Sequence, residues 1–388
     1  MRFCFIILAS IAFQNILYAQ DSIARKAPIE EQKDVWDLIH KKHQDEPTAT
    51  KRILFAFLPA AGYTLQTGFA AVLGANLAFY SKPSEGGDQK ISSILTSYAY
   101  SQHRQSILPL DASIWSKNGK FNYITDWRYM NYPSETWGLG GQTNGFIIDF
   151  SYIKLHQTLL FNIRKNLFIG AGYFYDSFFN IRGINAPSGD IVKYGLNSSQ
   201  LASGIPVRIL YDSRLNQVNP QKGWYASVTF RENYKFLGSK QNWRSLVSDV
   251  RKYIPFPAYS HNILAIWSYT WLTNKGTPYL LLPSTGWDDF FNTGRGYIQG
   301  RFRSKNMLYL ETEYRFRISE NGLFGGVVFV NVESYKRDLT IGPQILAAGY
   351  GGGLRIKLNK HSGANLCIDY GIGKDGSKGF FINLGEVF

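Results

Sequence analysis

Residues 294–317 read GRGYIQGRFRSKNMLYLETEYRFR and join two different kinds of chain. Gly294-Arg295-Gly296-Tyr297 is a glycine-rich turn carrying one cation and one aromatic ring. Met307–Arg317 alternates strictly. Leu308, Leu310, Thr312, Tyr314 and Phe316 fall on one face, and Tyr309, Glu311, Glu313, Arg315 and Arg317 on the other. A repeat of two residues is a β-strand. A face that carries both acids and bases does not fit a dry soluble core. It fits a membrane-barrel strand, apolar toward lipid and polar toward a wet lumen. The stretch therefore predicts an all-β transmembrane antiparallel barrel. The 294–297 turn folds into its lumen, and Arg295 reaches a wall carboxylate, Glu313.

The composition agrees. The 388 residues are 45% apolar and 16% aromatic, with 37 Gly and only 18% charged residues, a balance expected of a barrel with aromatic girdles and many turns. Residues 1–19 have one Arg, an apolar run over 3–13 and a small residue at Ala19, the pattern of a cleaved signal peptide. That run is too short to span a bilayer as a helix, and no apolar run of about 18 residues follows it. Cys4 precedes the apolar run, so it does not read as a lipid-anchored cysteine, and cleavage leaves Cys367 without a disulfide partner. An exported chain of alternating strands points to the outer membrane of a double-membraned bacterium, with outer-membrane lipid as its surroundings. The net charge of +14 is spread along strands and turns rather than clustered, so nucleic acid is not an expected partner. Anionic head groups and a cationic lumen account for it.

Residues 20–51 are polar, with one possible short helix that places Val35, Leu38 and Ile39 on a stripe. His40 and His43 share its face, but two imidazoles without a third ligand do not make a metal site. The barrel is expected over 52–388. Sixteen strands are read at 52–60, 68–80, 91–102, 105–117, 120–132, 146–160, 167–179, 203–213, 224–236, 242–254, 261–273, 307–318, 325–335, 346–358, 363–373 and 378–388. An even count places both ends on the periplasmic side. The connections at 117–120, 163–166 and 256–260 are short, as periplasmic turns are. Those at 133–145, 180–202 and 274–306 are long, as extracellular loops are. In the closing strand Phe380, Ile382, Leu384 and Phe388 share a face, the usual terminal signal read by the machinery that inserts outer-membrane barrels. No G-x-S-x-G elbow, H-E-x-x-H pair, cysteine cluster or phosphate loop occurs, so neither enzyme activity nor a cofactor or metal is expected.

Three blocks together resemble the outer-membrane assembly barrels of BamA and TamA type, the bacterial surface antigen family. Tyr211–Phe230, YDSRLNQVNPQKGWYASVTF, is similar to the family's D-x-R…P-x-x-G hairpin, with Asp212, Arg214, Pro220 and Gly223 in those places. Asp212 and Arg214 are read as an Asx-type turn and a local ion pair. Arg295-Gly296-Tyr297, followed by Glu313-Tyr314-Arg315-Phe316, resembles the family's inserted loop tip and the strand after it. Gly349–Phe388, GYGGGLRIKLNKHSGANLCIDYGIG…GFFINLGEVF, matches the closing strands. The family's Phe-x-Asp-x-Gly reads Phe329-Val330-Asn331-Val332-Glu333 here, so Asn331 and Glu333 join Glu313 as expected wall partners. Periplasmic POTRA modules are usual in the family, and 20–51 is too short for one. The resemblance implies a part in inserting, assembling or translocating outer-membrane or surface components, through a weak seam between the first and last strands. With no room for such a module, a dedicated periplasmic or lipoprotein partner is expected, recruited through 28–43. A passive pore and a surface structural or adhesive barrel are the alternatives.

Overall fold

The computed structural model describes residues 32–35, 37, 53–80, 91–141, 144–196, 198–214, 216–337, 344–360 and 363–388. The signal-peptide reading, His40 and His43 lie outside them. Alternation builds the wall. Its strands are β1 Ile53–Thr64, β2 Gly68–Tyr80, β3 Ile91–Ser101, β4 Ser106–Trp115, β5 Phe121–Asn131, β6 Ser134–Thr136, β7 Phe146–Arg164, β8 Leu167–Ile184 and β9 Gln200–Asp212. They continue as β10 Gly223–Asn233, β11 Trp243–Pro255, β12 Ile263–Thr273, β13 Asn306–Arg317, β14 Phe324–Lys336, β15 Gln344–Lys357, β16 Asn365–Ile372 and β17 Lys378–Leu384. The three-residue β6 continues β5 along β7 in one register, Asn131 opposite Ser151 and Ser134 opposite Ile148, interrupted only around Pro133. Proline cannot donate to a ladder, which explains the break. The ring therefore has sixteen strands, each antiparallel to its chain neighbours, and β17 closes it on β1. Among the described residues no helix is long and apolar enough to cross a membrane.

Exposure alternates as the sequence requires. Leu308 and Leu310 are 47% exposed on the outside of β13, while Glu311 and Glu313 between and beyond them are fully buried. Val328 and Val330 of β14 repeat the pattern against Asn331 and Glu333. Apolar side chains outward and charged ones inward is the reverse of a soluble protein, and it defines a membrane barrel with a filled lumen.

Several boundaries differ from the sequence reading. β1 runs on to Thr64 and β7 to Arg164, because short turns let adjacent strands pair almost to their tips, and β8 runs on to Ile184, paired with the start of β7. β17 stops at Leu384 rather than Phe388. Gly385, at φ +88°, takes the left-handed conformation that glycine tolerates and turns the chain inward. Phe380 and Leu384 stay half-exposed on the lipid side, with Ile382 partly buried between them. Phe388 leaves that row: it lies inside the lumen, 3% exposed, against Trp267 at 5.2 Å between centroids. The shared face read for all four residues holds for three of them.

The seam is uneven. β1 pairs with β2 from Ile53–Phe79 to Thr64–Gly68, but its registered pairing with β17 is Tyr63 opposite Ile382 alone. On the side of the short turns, the described residues before the barrel lean on its own turns. Lys33 N–H donates to the Asn321 carbonyl at 3.0 Å, and Lys360 Nζ donates to Asp37 at 2.8 Å.

Candidate functional site

The connection between β12 and β13 enters the lumen rather than standing above it. Tyr279–Leu282 and Trp287 pack into an aromatic cluster with Tyr132, Phe150 and Tyr194. Asp288 knots the next turn. Its Oδ1 accepts from Thr293 N–H and Oγ1, both at 2.8 Å, and from Asn292 N–H at 3.0 Å. Burial still raises this loop carboxyl above its ordinary range, and those donors only partly offset it.

The tip then lies flat on the wall of β15 and β16. Gly296 has φ +110°, and a Cβ there would stand 2.9 Å from the Ile372 carbonyl carbon. A Cβ on Gly371 would stand 2.7 Å from Gly296 N, and one on Gly349 2.6 Å from the Arg295 carbonyl oxygen. The glycines of the closing strands thus clear a track for the loop backbone. Tyr297 OH donates to the Ala348 carbonyl and accepts from Lys374 N–H at 2.9 Å. Gly296→Val is expected to unseat the tip. The left-handed backbone alone costs about 1–3 kcal/mol, and the wall clash adds to it. The check is a lower temperature for loss of the compact, folded-barrel band on semi-native gels; an unchanged midpoint would count against this seating.

Arg295 is 2% exposed and reaches three carboxylates at once. Nη2 contacts both Glu311 and Glu313, and Nη1 donates to Asp369 Oδ2 at 2.7 Å. Its guanidinium carbon lies 3.7 Å from the Phe329 ring centroid, a cation–π placement. The charges close into a ring. Glu313 accepts from Arg315 Nε at 2.7 Å, and Arg315 approaches Glu386 at 3.6 Å. Glu386 accepts from Arg355 Nε at 2.8 Å, and Arg355 Nη1 returns to Asp369. Gly353 makes room for that last carboxylate, since a Cβ there would lie 1.9 Å from Asp369 Oδ1. Three arginines alternate with three carboxylates, while Glu311 hangs from Arg295. Loop, wall strands and the inward-turned chain after β17 are held in one network.

The expected partners divide. Glu313 touches Arg295 through its guanidinium contact, and Asn331 through Nδ2, which donates to the Arg295 carbonyl at 2.9 Å. Glu333 has no contact with Arg295 among the described residues, which corrects that expectation. It stands opposite Tyr309, two residues along the strand from the Glu311–Asn331 level, roughly 7 Å at strand rise. There it accepts instead from Thr285 Oγ1 at 3.0 Å and Tyr335 OH at 2.6 Å, fastening an earlier part of the loop. Glu311 and Asp369 were not assigned to Arg295 from sequence, although both fall on the polar rows of their strands.

A second anchor on the opposite wall was not foreseen. Asp289 of the loop accepts from Lys154 Nζ at 2.9 Å, and Lys154 also donates to Asp126 at 2.6 Å. Arg128 pairs with Asp126 at 2.6 Å and donates to the Asp289 carbonyl. Further round, Asp176 takes Arg231 at 2.5 Å and His156 at 3.0 Å. The loop is therefore tied across the lumen from β5 and β7 to β13 and β16.

At the β9–β10 hairpin, Arg214 Nε and Nη2 each donate to Asp212 at 2.9 Å, and Arg214 N–H donates to Asp212 Oδ1 at 3.1 Å. Gly223 sits at φ +119° with the Ser213 carbonyl 2.7 Å from where a Cβ would be, and Pro220 is buried beside the turn. The four residues form one local turn. Among the described residues no group of His, Cys, Asp and Glu is arranged to hold a metal.

These features define a sixteen-stranded outer-membrane-type barrel plugged by its own loop. The Omp85 superfamily domain matches residues 142–388, and the chain belongs to that superfamily. Its fold is similar to BamA from Haemophilus ducreyi lacking POTRA domains 1–3, at 15% identity and TM-score 0.56, over 86% of this chain and 70% of that one. It is also similar to CdiB from Acinetobacter baumannii, at 13% identity and TM-score 0.59, over 87% of this chain and 60% of that one. CdiB from Escherichia coli follows at 10% identity and TM-score 0.54, over 86% of this chain and 62% of that one. Comparison with curated proteins finds no match. Among the described residues there is no POTRA module.

Proposed function

We propose that this barrel resides in a bacterial outer membrane and helps to insert or translocate outer-membrane or surface components, acting with a periplasmic or lipoprotein partner. The observation that carries the reading is the β1–β17 seam. Every other interface of the wall is a long antiparallel ladder, while the closing one has Tyr63 opposite Ile382 as its registered pair. A short ladder is the cheapest place to open a barrel, because each backbone hydrogen bond in lipid lacks water as a substitute. Membership of the superfamily and the likeness to BamA and CdiB support a role in assembly or secretion. The plugged lumen disfavours a free passage through the centre. Residues 28–43 remain the proposed partner contact. Their described part, 32–35 and 37, rests on the periplasmic turns, where a partner could displace it.

Locking the seam tests this. Tyr63→Cys with Ile382→Cys, in a Cys367→Ser background, places two cysteines at directly opposed antiparallel positions, about 4.5–5.5 Å apart at Cα and within disulfide reach. Oxidised protein is expected to lose the ability to support insertion of a reporter barrel into proteoliposomes, and reductant is expected to restore it. Undiminished insertion by the locked form would overturn the seam mechanism. Steady conductance unaffected by the lock, with no insertion by any form, would favour a passive pore.

A further inference from the structure

The side of the barrel that carries the long loops holds a cavity of about 810 Å³ that the plug chemistry does not use. Its floor is the plug itself, through Tyr279, Leu282 and Ser304. Its walls come from the segment around the short helix α1, Ser188–Lys193, from the β10–β11 connection and from the start of the β14–β15 connection. The volume lies within the range of about 300–1,000 Å³ usual for ligand sites.

The lining is one-signed. Lys193, Lys240, Lys305 and Arg337 all face the cavity, and none of its described lining residues is Asp or Glu. Among the described residues, Lys240, Lys305 and Arg337 have no ion-pair partner, and Lys193 has only Asp190 at 4.0 Å. This is unlike the lumen below, where the arginines of the ring are matched to carboxylates. Between the cations stand the amides of Gln241 and Asn274, while that of Gln200 is spent on the Tyr194 and Gly195 carbonyls and the Leu280 N–H. Tyr194 and Tyr279 stack at 4.6 Å, with Lys193 over the Tyr194 ring and Arg303 over the Tyr279 ring, and give the wall buried aromatic area rather than a free ring face. Unpaired cations select an anion. Amides around them, in a space of this size, suit hydroxylated rings better than a bare inorganic ion.

We infer that this cavity binds an anionic saccharide, carboxylated or phosphorylated, on the extracellular side of the barrel. Two sources share that chemistry: a soluble acidic glycan, and the phosphosugar head group of a lipid in the same membrane. The inference does not depend on the seam reading, because binding is measured without any assembly activity.

The experiment is isothermal titration calorimetry on the full chain in detergent micelles. Four probes are used: hexagalacturonate, glucosamine disaccharide 1,4′-bisphosphate, maltohexaose and inorganic phosphate. At least one of the two anionic saccharides is expected to bind at least about tenfold more tightly than maltohexaose or phosphate, and more weakly as salt rises. Preference for hexagalacturonate points to a soluble glycan, and preference for the bisphosphate to a lipid head group. Lys240→Gln with Arg337→Gln is expected to weaken binding about tenfold or more. The charge-matched control Lys117→Gln with Lys120→Gln, at exposed positions on the short β4–β5 turn away from the cavity, is expected to leave it unchanged. Equal affinity for maltohexaose or for phosphate, no binding of any probe, or equal loss in the control pair would overturn the inference. A folded-barrel gel shift at the wild-type temperature shows that the variants retain the fold.

Discussion

Arg295→Glu is expected to lower the folded-barrel melting temperature more than any other single substitution in the lumen. The arginine is 2% exposed and faces Glu311, Glu313 and Asp369, all fully buried. Removing one partner of a buried pair leaves uncompensated charge and costs about 3–5 kcal/mol. Here three carboxylates lose their common cation and a fourth joins them. Arg295→Lys is expected to fall between wild type and glutamate, since an ammonium keeps the charge but lacks the planar fork that spans two walls. The double variant Arg295→Glu with Glu313→Arg is expected not to recover the wild-type midpoint. A simple two-residue pair would be rescued by the swap, whereas Glu311 and Asp369 stay in place to repel the new glutamate. The readout is the temperature at which the compact band disappears on semi-native gels. Full rescue by the swap, or a glutamate variant no less stable than the lysine one, would show that the ring does not carry the load assigned to it.

The distribution of what could be read in advance follows from how each feature is encoded. Strand alternation is local, so Leu308–Phe316 and Leu354–Leu358 declare both the barrel and its lumen face without further help. The Arg295–Glu313 contact was legible because the two residues share one loop-and-strand segment. Asp369 was not assigned, because its approach to Arg295 depends on the summed register of three successive ladders, β13–β14, β14–β15 and β15–β16, which no single segment displays. Glu386 was hidden for a different reason. Continuing the β17 alternation puts the residues after Leu384 on the wall, and a single left-handed glycine, Gly385, redirects them into the lumen. Asp289 with Lys154 joins residues 135 positions apart across the barrel, and nothing local in either segment marks the pairing. Glu333 shows the converse error. A family pattern placed it beside Arg295, but its register opposite Tyr309 moves it along the strand to Thr285.

Deleting residues 286–304 is expected to turn a nearly closed barrel into an open channel. A sixteen-stranded wall encloses an aqueous passage unless something fills it. In this chain the filling is the loop, with the inward turn after β17 beside it. The deleted span contains the Asp288 knot, the Asp289 anchor on one wall and the Arg295 anchor on the other, so its loss empties the centre rather than thinning it. Asn292 Nδ2 also donates to the Val387 carbonyl at 2.6 Å, so the deletion frees Val387 from its loop contact, while Phe388 stays against Trp267 and its carbonyl stays with Arg315 Nη2. Single-channel recording in planar bilayers should show conductance at least about tenfold above the intact protein, because ion flow scales with the cross-section left unfilled. Loosening both anchors without deletion, by Lys154→Met with Arg295→Gln, should give intermittent openings, since the aromatic cluster around Tyr279 still holds the start of the loop. Similar steady conductance in the intact and deleted proteins would mean that the loop does not occlude the lumen. The two-walled anchoring would then be a brace for the barrel's shape, and transport through the centre would become the better account of what the barrel does.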